Sequence, residues 1–314
     1  MRLAAFFLSI ALSACAFAQY PSKPIRLVVP FPPGGTADVA ARILGQGLSK
    51  RLGQSVLIEN KAGADGAIAG TDVMRSAPDG YTLLWGTNTG MSALPAMRKN
   101  PPYDPLADFT PVSLGGLLGF FLYASPALPA KSMDELVAHV RANPGKLNYA
   151  TGNSMSIVST AQLLQAEKLD VHHVPYKGDA PAFADLLAGR IEFMIAAGTG
   201  VSYVKDGRLR ALATLLPTRS GLLPDVPTLE EGGRRAVSVT SWNGVLGPAK
   251  MPSDLTARLS REIQAVLASA EAREAMARHA FEAKGLAPEE FRAFLAQQLD
   301  AWRRAVRELN LAQD

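Results

Sequence analysis

The sequence predicts an α/β protein of two lobes followed by C-terminal helices. Its 314 residues, 48% of them apolar, are enough for about two domains of ordinary size, each with its own core. Two stretches of the chain alternate short β-rich runs with helical patterns of apolar residues. This alternation is typical of sheets whose parallel strands are joined by right-handed helical crossovers.

The first alternating stretch lies near the N-terminus. A β-rich run bounded by prolines covers 24–30, and helical spacing of apolar residues begins at Ala37. Two further predicted strands cover 55–59 and 81–85, with a second helix between them. We therefore predict a parallel β-α-β-α-β unit here.

The second alternating stretch and the C-terminal helices complete the predicted fold. We predict helices at 132–142, 159–167 and 180–187, and strands at 147–150, 171–174, 191–195 and 209–214. Apolar residues then recur at spacings of three and four across 255–267 and 299–309, which indicates helices. Pro288, followed by two glutamates, favours the start of a helix at that position.

The charged residues and the single cysteine exclude several classes of protein. The net charge is only +4, and no basic arm is present, so binding of nucleic acid by a concentrated cationic face is disfavoured. One cysteine, Cys15, excludes an intramolecular disulfide and any metal site built from several cysteines. We expect a monomer without nucleic-acid partner, cofactor or metal.

The N-terminus has the pattern of a signal peptide. Arg2 precedes an apolar run from Leu3 to Leu12, and Ala16-Phe17-Ala18 forms an A-x-A cleavage pattern. The uncharged run from Leu3 to Ala18 is 16 residues, whereas a transmembrane helix needs about 20. We predict a signal peptide at 1–18 and a periplasmic protein. A second interpretation stays open, because Leu12-Ser13-Ala14-Cys15 resembles a lipobox in which Cys15 would carry the lipid.

Residues suited to catalysis are few. His172 and His173 are adjacent in a predicted strand, so their side chains face opposite sides of the sheet and do not share one metal. Gly152-Asn153-Ser154 begins like a nucleophile elbow but lacks its final glycine. A secreted serine hydrolase that uses Ser154 is therefore a less favoured alternative.

Loops that follow three predicted strands offer hydrogen-bond donors instead. They contain Gly34-Gly35-Thr36, Thr87-Asn88-Thr89 and Thr151-Gly152-Asn153-Ser154. Ligands of open α/β sheets bind at the carboxyl ends of strands, and helix N-termini favour anions. We expect Thr36 to cap the helix that follows, with Asp38 in its first turn. The loops predict a cleft for a small anion, although a tight turn and a capped helix would also explain the first of them.

Several separated motifs resemble those of one known family. They lie at 20–25, 29–38, 59–64, 108–112, 173–178 and 223–229. In this order they resemble the substrate-binding proteins of tripartite tricarboxylate transporters, the Bug-type periplasmic receptors. The resemblance implies a type II periplasmic-binding-protein fold, in which two α/β lobes joined by two hinge strands close over a ligand.

The resemblance also implies lobe limits, a binding site and a function. The first lobe would comprise 19–121 plus 242–314, the second lobe 122–241, and the hinge strands would lie near 117–123 and 238–245. The receptor would capture a small organic acid by lobe closure and pass it to a two-component membrane permease. A sensor that presents its closed form to a signalling partner is the alternative. The ligand-binding residues implied by the matching motifs are Phe31, Gly34, Gly35, Thr36, Asp38, Thr87, Asn88, Thr89, Thr151, Gly152, Asn153, Ser154 and Ala196.

Two segments depart from the family pattern. Residues 155–160 stand where a Ser-Gly-rich loop leading to a His-Leu pair is common. Ala196-Ala197-Gly198 stands where an acidic residue commonly follows the strand at 191–195. Without that carboxylate a ligand ammonium lacks a natural partner. We therefore expect a carboxylate without an amino group, such as a di- or tricarboxylate or an aromatic acid; an enlarged pocket would be the simpler explanation.

Overall fold

The structure is a computed structural model, and it describes residues 20–311. The predicted signal peptide at 1–18, including Cys15, lies outside the described residues. Within 20–311, no helix is both long and apolar enough to cross a membrane.

A six-stranded sheet has the strand order β11-β4-β10-β3-β1-β2. β1, β2 and β3 are mutually parallel neighbours, which confirms the predicted β-α-β-α-β unit, whereas β10 runs antiparallel to β3 and β4. The sheet and the helices that cover it are called the first lobe. Its strands are β1 (Ile25–Val29), β2 (Val56–Asn60), β3 (Thr82–Thr87), β4 (Phe109–Leu118), β10 (Trp242–Pro248) and β11 (Phe281–Ala283).

Helices cover both faces of this sheet. They are α1 (Thr36–Leu52), α2 (Ala67–Met74), α3 (Leu94–Met97), α8 (Ser253–Ala268) and α9 (Ala270–Ala277). The helical spacing at 37–48 places Leu44 and Leu48 in the core, and α1 packs against α8. Gly47 allows this close approach, since a methyl group added there would lie 2.4 Å from Val266 Cγ1.

A second, five-stranded sheet has the strand order β7-β6-β8-β5-β9 and, with its helices, is called the second lobe. The predicted helices and strands of this stretch are all present, but α5 begins at Ser154 rather than near Ser159. The elements are β5 (Phe120–Ala124), α4 (Met133–Ala142), β6 (Asn148–Thr151), α5 (Ser154–Glu167), β7 (His172–Pro175), α6 (Asp179–Leu187), β8 (Phe193–Ala197), α7 (Val201–Lys205) and β9 (Arg210–Thr214).

The chain passes between the sheets twice. β4 leads into β5 through Gly119 alone, and the N–H of Gly119 donates a hydrogen bond to the carbonyl of Ala280 (2.8 Å). The return runs from β9 through 215–241 to β10. The lobe limits at 121/122 and 241/242 stay a prediction.

The C-terminal helix α10 (Pro288–Glu308) begins at Pro288, as predicted, and touches both lobes. Phe291 and Leu295 pack into a cluster of first-lobe side chains. Trp302 and Ala305, further along, belong to a cluster dominated by second-lobe side chains. One helix therefore forms part of both cores.

Candidate functional site

The loops that end β1, β2 and β3 lie together at one edge of the first-lobe sheet. A methyl group added to Gly66 would lie 3.2 Å from Pro30 Cβ and 3.5 Å from Gly90 Cα. Each residue of the segment 63–66 has a positive φ, so the chain turns sharply where it passes between Pro30 and Gly90. This packing brings the predicted loops after β1 and β3 to one place.

Asp38 holds the loop after β1 in shape through three hydrogen bonds. Its carboxylate is 2% exposed, and Oδ2 accepts hydrogen bonds from Gly34 N (2.9 Å) and Arg42 Nε (2.9 Å). Oδ1 accepts from Asn60 Nδ2 (2.8 Å), which also donates to Phe31 O (2.9 Å). Burial alone would raise the pKa of Asp38, but these hydrogen bonds outweigh it and lower the pKa below its ordinary value.

The prediction that Thr36 caps α1 is wrong. Gly35 is the N-cap residue, Thr36 is the first helical residue, and no side chain caps this end. Asp38 instead reaches back to Gly34, where a φ of 89° suits glycine. The first-turn N–H groups of this 17-residue helix thus carry the positive end of the dipole without a side-chain cap. Phe31 and Thr36 are half-buried, and both glycines are exposed.

The loop after β3 contains a buried hydrogen-bond donor without a partner. Asn88 is buried, and its Oδ1 accepts a hydrogen bond from Ser241 Oγ (3.1 Å). Its Nδ2 has no hydrogen-bond partner among residues 20–311. Thr87 is buried and Thr89 half-buried, at the start of a turn of π-helix that spans Thr89–Ala93. An unpaired buried donor costs free energy, so this amide favours a ligand that accepts a hydrogen bond.

In the second lobe, the loop after β6 is fixed by its own side chains. Asn153 caps α5 by accepting from Ser156 N (2.9 Å), while Ser156 Oγ accepts from the N–H groups of Gly152 and Asn153 (3.1 Å each). Thr151 Oγ1 lies 2.7 Å from His173 Nε2. These bonds fix the shape of the loop.

Ala196 lies in the second-lobe core, and Ser154 lies at the start of α5. Ala196 is fully buried in the second-lobe core, and its half-buried neighbour Ala197 lies at the strand end instead. Ser154 starts α5 and has no hydrogen bond to a histidine among the described residues, since His173 contacts Thr151 and stacks on Tyr149.

Asp179, at the start of α6, is a residue of the site that the sequence analysis missed. Its Oδ1 accepts a hydrogen bond from Asn153 Nδ2 (2.9 Å), and Ala197 N–H also donates to this carboxylate. It is half-buried, and burial raises its pKa above the ordinary value against the effect of both bonds. Its position after Gly178, in a motif that ends a strand and opens a helix, was the available signal.

The loops of the two lobes approach each other. α5 contacts the turn at Thr89–Ala93, and Ala93 lies in the same buried cluster as Met155 and Val158. The second-lobe loop at 151–154 therefore lies on the side of its lobe that faces the first-lobe loop at 87–89. Among residues 20–311, no cluster of three His, Cys, Asp or Glu side chains could hold a metal ion.

Comparison with known proteins gives consistent results. The family model of the tripartite tricarboxylate transporter family receptor matches residues 40–311. The protein BugT of Bordetella pertussis is 35% identical over 297 residues, which cover 92% of this chain and 90% of BugT.

Solved structures share the fold over nearly the whole chain. The periplasmic binding protein BugD is 32% identical, with a TM-score of 0.77 over 94% of this chain and all of that one. A protein of R. palustris solved with adipate is 29% identical, with a TM-score of 0.81 over 93% of this chain and 99% of that one. MatC of Rhodopseudomonas palustris, solved with bound malate, is 30% identical, with a TM-score of 0.75 over 91% of this chain and all of MatC. The predicted two-lobed periplasmic-binding-protein fold is thereby confirmed, and this chain belongs to the tripartite tricarboxylate transporter receptor family.

Proposed function

We propose that this protein captures a small carboxylate between its lobes outside the cytoplasm and delivers it to the membrane subunits of a tripartite tricarboxylate-type transporter. The observation that carries the proposal is Asn88 in the loop after β3, whose buried Nδ2 donor lacks a partner among residues 20–311. A carboxylate oxygen is the acceptor that this donor and the first-turn N–H groups of α1 would share.

The first lobe can hold an anion without a buried cation. The helix end supplies several N–H groups and a favourable dipole, and Asn88 adds a side-chain donor. Arg42, on the helix that this loop begins, is paired with Asp38 (2.9 Å). The carboxylate is therefore held by neutral donors, which recognise its geometry as well as its charge.

In the proposed function, closure of the two lobes over the ligand gives the form that the membrane subunits recognise. We propose the predicted limits, 19–121 plus 242–314 and 122–241, as the moving bodies; the first limit lies two residues after Gly119, within β5. A ligand that touches the loops at 87–89 and 151–154 together would favour the closed arrangement. The malate and adipate carried by two solved relatives are consistent with a carboxylate as that ligand.

Export follows from the predicted signal peptide. Cleavage after Ala18 would release the protein into the periplasm, whereas lipidation at Cys15 would tether it to the membrane. Mass spectrometry of the protein from a membrane fraction and from a soluble periplasmic fraction distinguishes the two outcomes.

The proposal is tested by thermal shift with a panel of carboxylates, sugars and amines. A ligand at a hundredfold excess over its Kd stabilises the folded protein by roughly 2.7 kcal/mol. Asn88→Ala removes one hydrogen bond to a charged group, worth roughly 1.5–3 kcal/mol, so we expect carboxylates to bind about 10- to 150-fold more weakly. Asn100→Ala, at an exposed position, is the matched control. The proposal would be contradicted if only sugars or amines stabilised the protein, or if Asn88→Ala bound carboxylates as tightly as the wild type.

A further inference from the structure

Asp179 places a carboxylate where three second-lobe loops meet. It follows β7 along the chain, accepts a hydrogen bond from Asn153 in the loop after β6, and accepts another from the N–H of Ala197 at the end of β8. Gly152 leaves room for it, since a methyl group at that residue would lie 2.4 Å from Asp179 Oδ1. The carboxylate therefore lies at the edge of the second sheet where its strands' carboxyl ends meet.

No cation among residues 20–311 neutralises this carboxylate, because none of their ion pairs includes Asp179. The charge of Asp179 acts on the hydroxyl of Tyr123 in β5, whose pKa is raised mainly by burial and further by this charge. Two neutral hydrogen bonds compensate the half-buried carboxylate only in part. A ligand group that donates a hydrogen bond would complete the compensation.

We propose that Asp179 determines specificity in the proposed receptor: it selects carboxylates whose far end carries a hydroxyl or ammonium group over dicarboxylates of the same length. The inference rests on the proposed function, in which the first lobe holds the near carboxylate. A second carboxylate would meet Asp179 with like charge, whereas a donor would pair with it. The expectation of a ligand without an ammonium was based on the alanines after β8, and Asp179 beside Ala197 removes that basis.

The test uses matched ligands in isothermal titration calorimetry with the purified protein. Three series of four to six carbons are compared: ω-hydroxy acids, ω-amino acids and α,ω-dicarboxylates that end with adipate. We expect the wild type to bind a hydroxy or amino acid at least tenfold more tightly than the dicarboxylate of equal length. Asp179→Asn keeps the shape of the side chain and an oxygen that accepts from Asn153. We expect it to reduce the ratio of the affinity for the hydroxy or amino acid to the affinity for the dicarboxylate at least tenfold.

Controls separate this inference from the proposed function. Asp206→Asn, at an exposed second-lobe position, should leave the ratio unchanged. If no carboxylate of any series binds the wild type, the proposed function itself fails. If carboxylates bind but Asp179→Asn leaves the ratio unchanged, or the wild type prefers the dicarboxylate, only the role of Asp179 is refuted. Equal unfolding temperatures of the variant and the wild type without ligand show that the comparison is made on folded protein.

Discussion

Asp38→Asn is expected to destabilise the protein although the two side chains have the same shape. In the native structure Asp38 accepts three hydrogen bonds, from Gly34, Arg42 and Asn60. An asparagine has one acceptor oxygen and one NH2 group, so one of these donors must face another donor. Asn60 cannot relieve the conflict by turning over, because its Nδ2 also donates to Phe31 O and its Oδ1 accepts from Arg42.

The size of the effect follows from this count of donors and acceptors. A buried donor left without an acceptor costs roughly 1–3 kcal/mol. The lost ion pair adds at most about 1 kcal/mol, because the Arg42 side chain is 51% exposed. We therefore expect about 2–3 kcal/mol less stability, which lowers the melting temperature by about 3–5 °C in a chain of this size.

Urea and thermal unfolding at pH 7 measure this loss, and Asp65→Asn is the control. Asp65 lies in a neighbouring loop, its side chain is 66% exposed, and its ion pair with Arg98 is 3.6 Å long. This control should change stability by less than about 0.5 kcal/mol. Equal stability of Asp38→Asn and the wild type would refute the conclusion that the hydrogen bonds of Asp38 stabilise the loop after β1.

The pH dependence provides a second measurement on the same pair of proteins. Hydrogen bonds lower the pKa of folded Asp38 below its ordinary value of 3.8, in spite of burial. The contribution of the Asp38 carboxylate to the free energy of unfolding is therefore complete above pH 3.8. It is lost as the pH falls through the lowered pKa of folded Asp38. The stability difference between wild type and Asp38→Asn should shrink in that acidic range and stay constant above it.

Three further predictions concern packing, lobe geometry and chemistry. Gly47→Ala should destabilise the protein by about 1 kcal/mol despite the better helix propensity of alanine, because its methyl group would lie 2.4 Å from Val266 Cγ1. In a double-mutant cycle by urea unfolding, Gly47→Ala should cost less in the Val266→Ala background than in the wild type, and a stabilised Gly47→Ala variant would contradict this. Gly198→Ala should change the radius of gyration in solution scattering and weaken carboxylate binding, because its methyl group would lie 1.9 Å from Ala280 Cβ. The control Gly221→Ala has open space around the added methyl group and should change neither the radius of gyration nor the affinity. A fluorophosphonate probe should leave the wild-type protein unlabelled, since Ser154 has no histidine partner among the described residues; labelling at Ser154 would revive the hydrolase alternative.

Helices and strands were predictable where their buried residues are apolar and recur at the regular spacing of one helix or one strand. The apolar spacing of α1 and the short β-rich runs of the first lobe gave the right order and direction of β1, β2 and β3. The start of α5 was missed because its buried face contains Ser156, Ser159 and Thr160, which carry no apolar signal. Packing of small polar side chains on a neighbouring element is not visible in hydropathy.

The sequence predicted the loops of the candidate site but not the hydrogen-bond role of each residue in them. Thr36 matches the residue preference for an N-cap, yet the cap position falls on Gly35 because Asp38 and Asn60 fix the preceding turn. Asp179 was missed because its significance depends on Asn153 and Ala197, which belong to different loops. Roles that depend on contacts between loops become visible only with the fold.

If the lobes close over a ligand as proposed, the contact of α10 with both lobes also affects ligand affinity. A buried aromatic such as Trp302 covers about 150–250 Å², so exposing even a quarter of it during lobe movement costs about 1–1.5 kcal/mol. That cost subtracts from the binding free energy of every ligand, and 1.4 kcal/mol corresponds to about a tenfold change in Kd. Substitutions on this helix can therefore retune the working concentration range of the receptor while its choice among ligands stays the same.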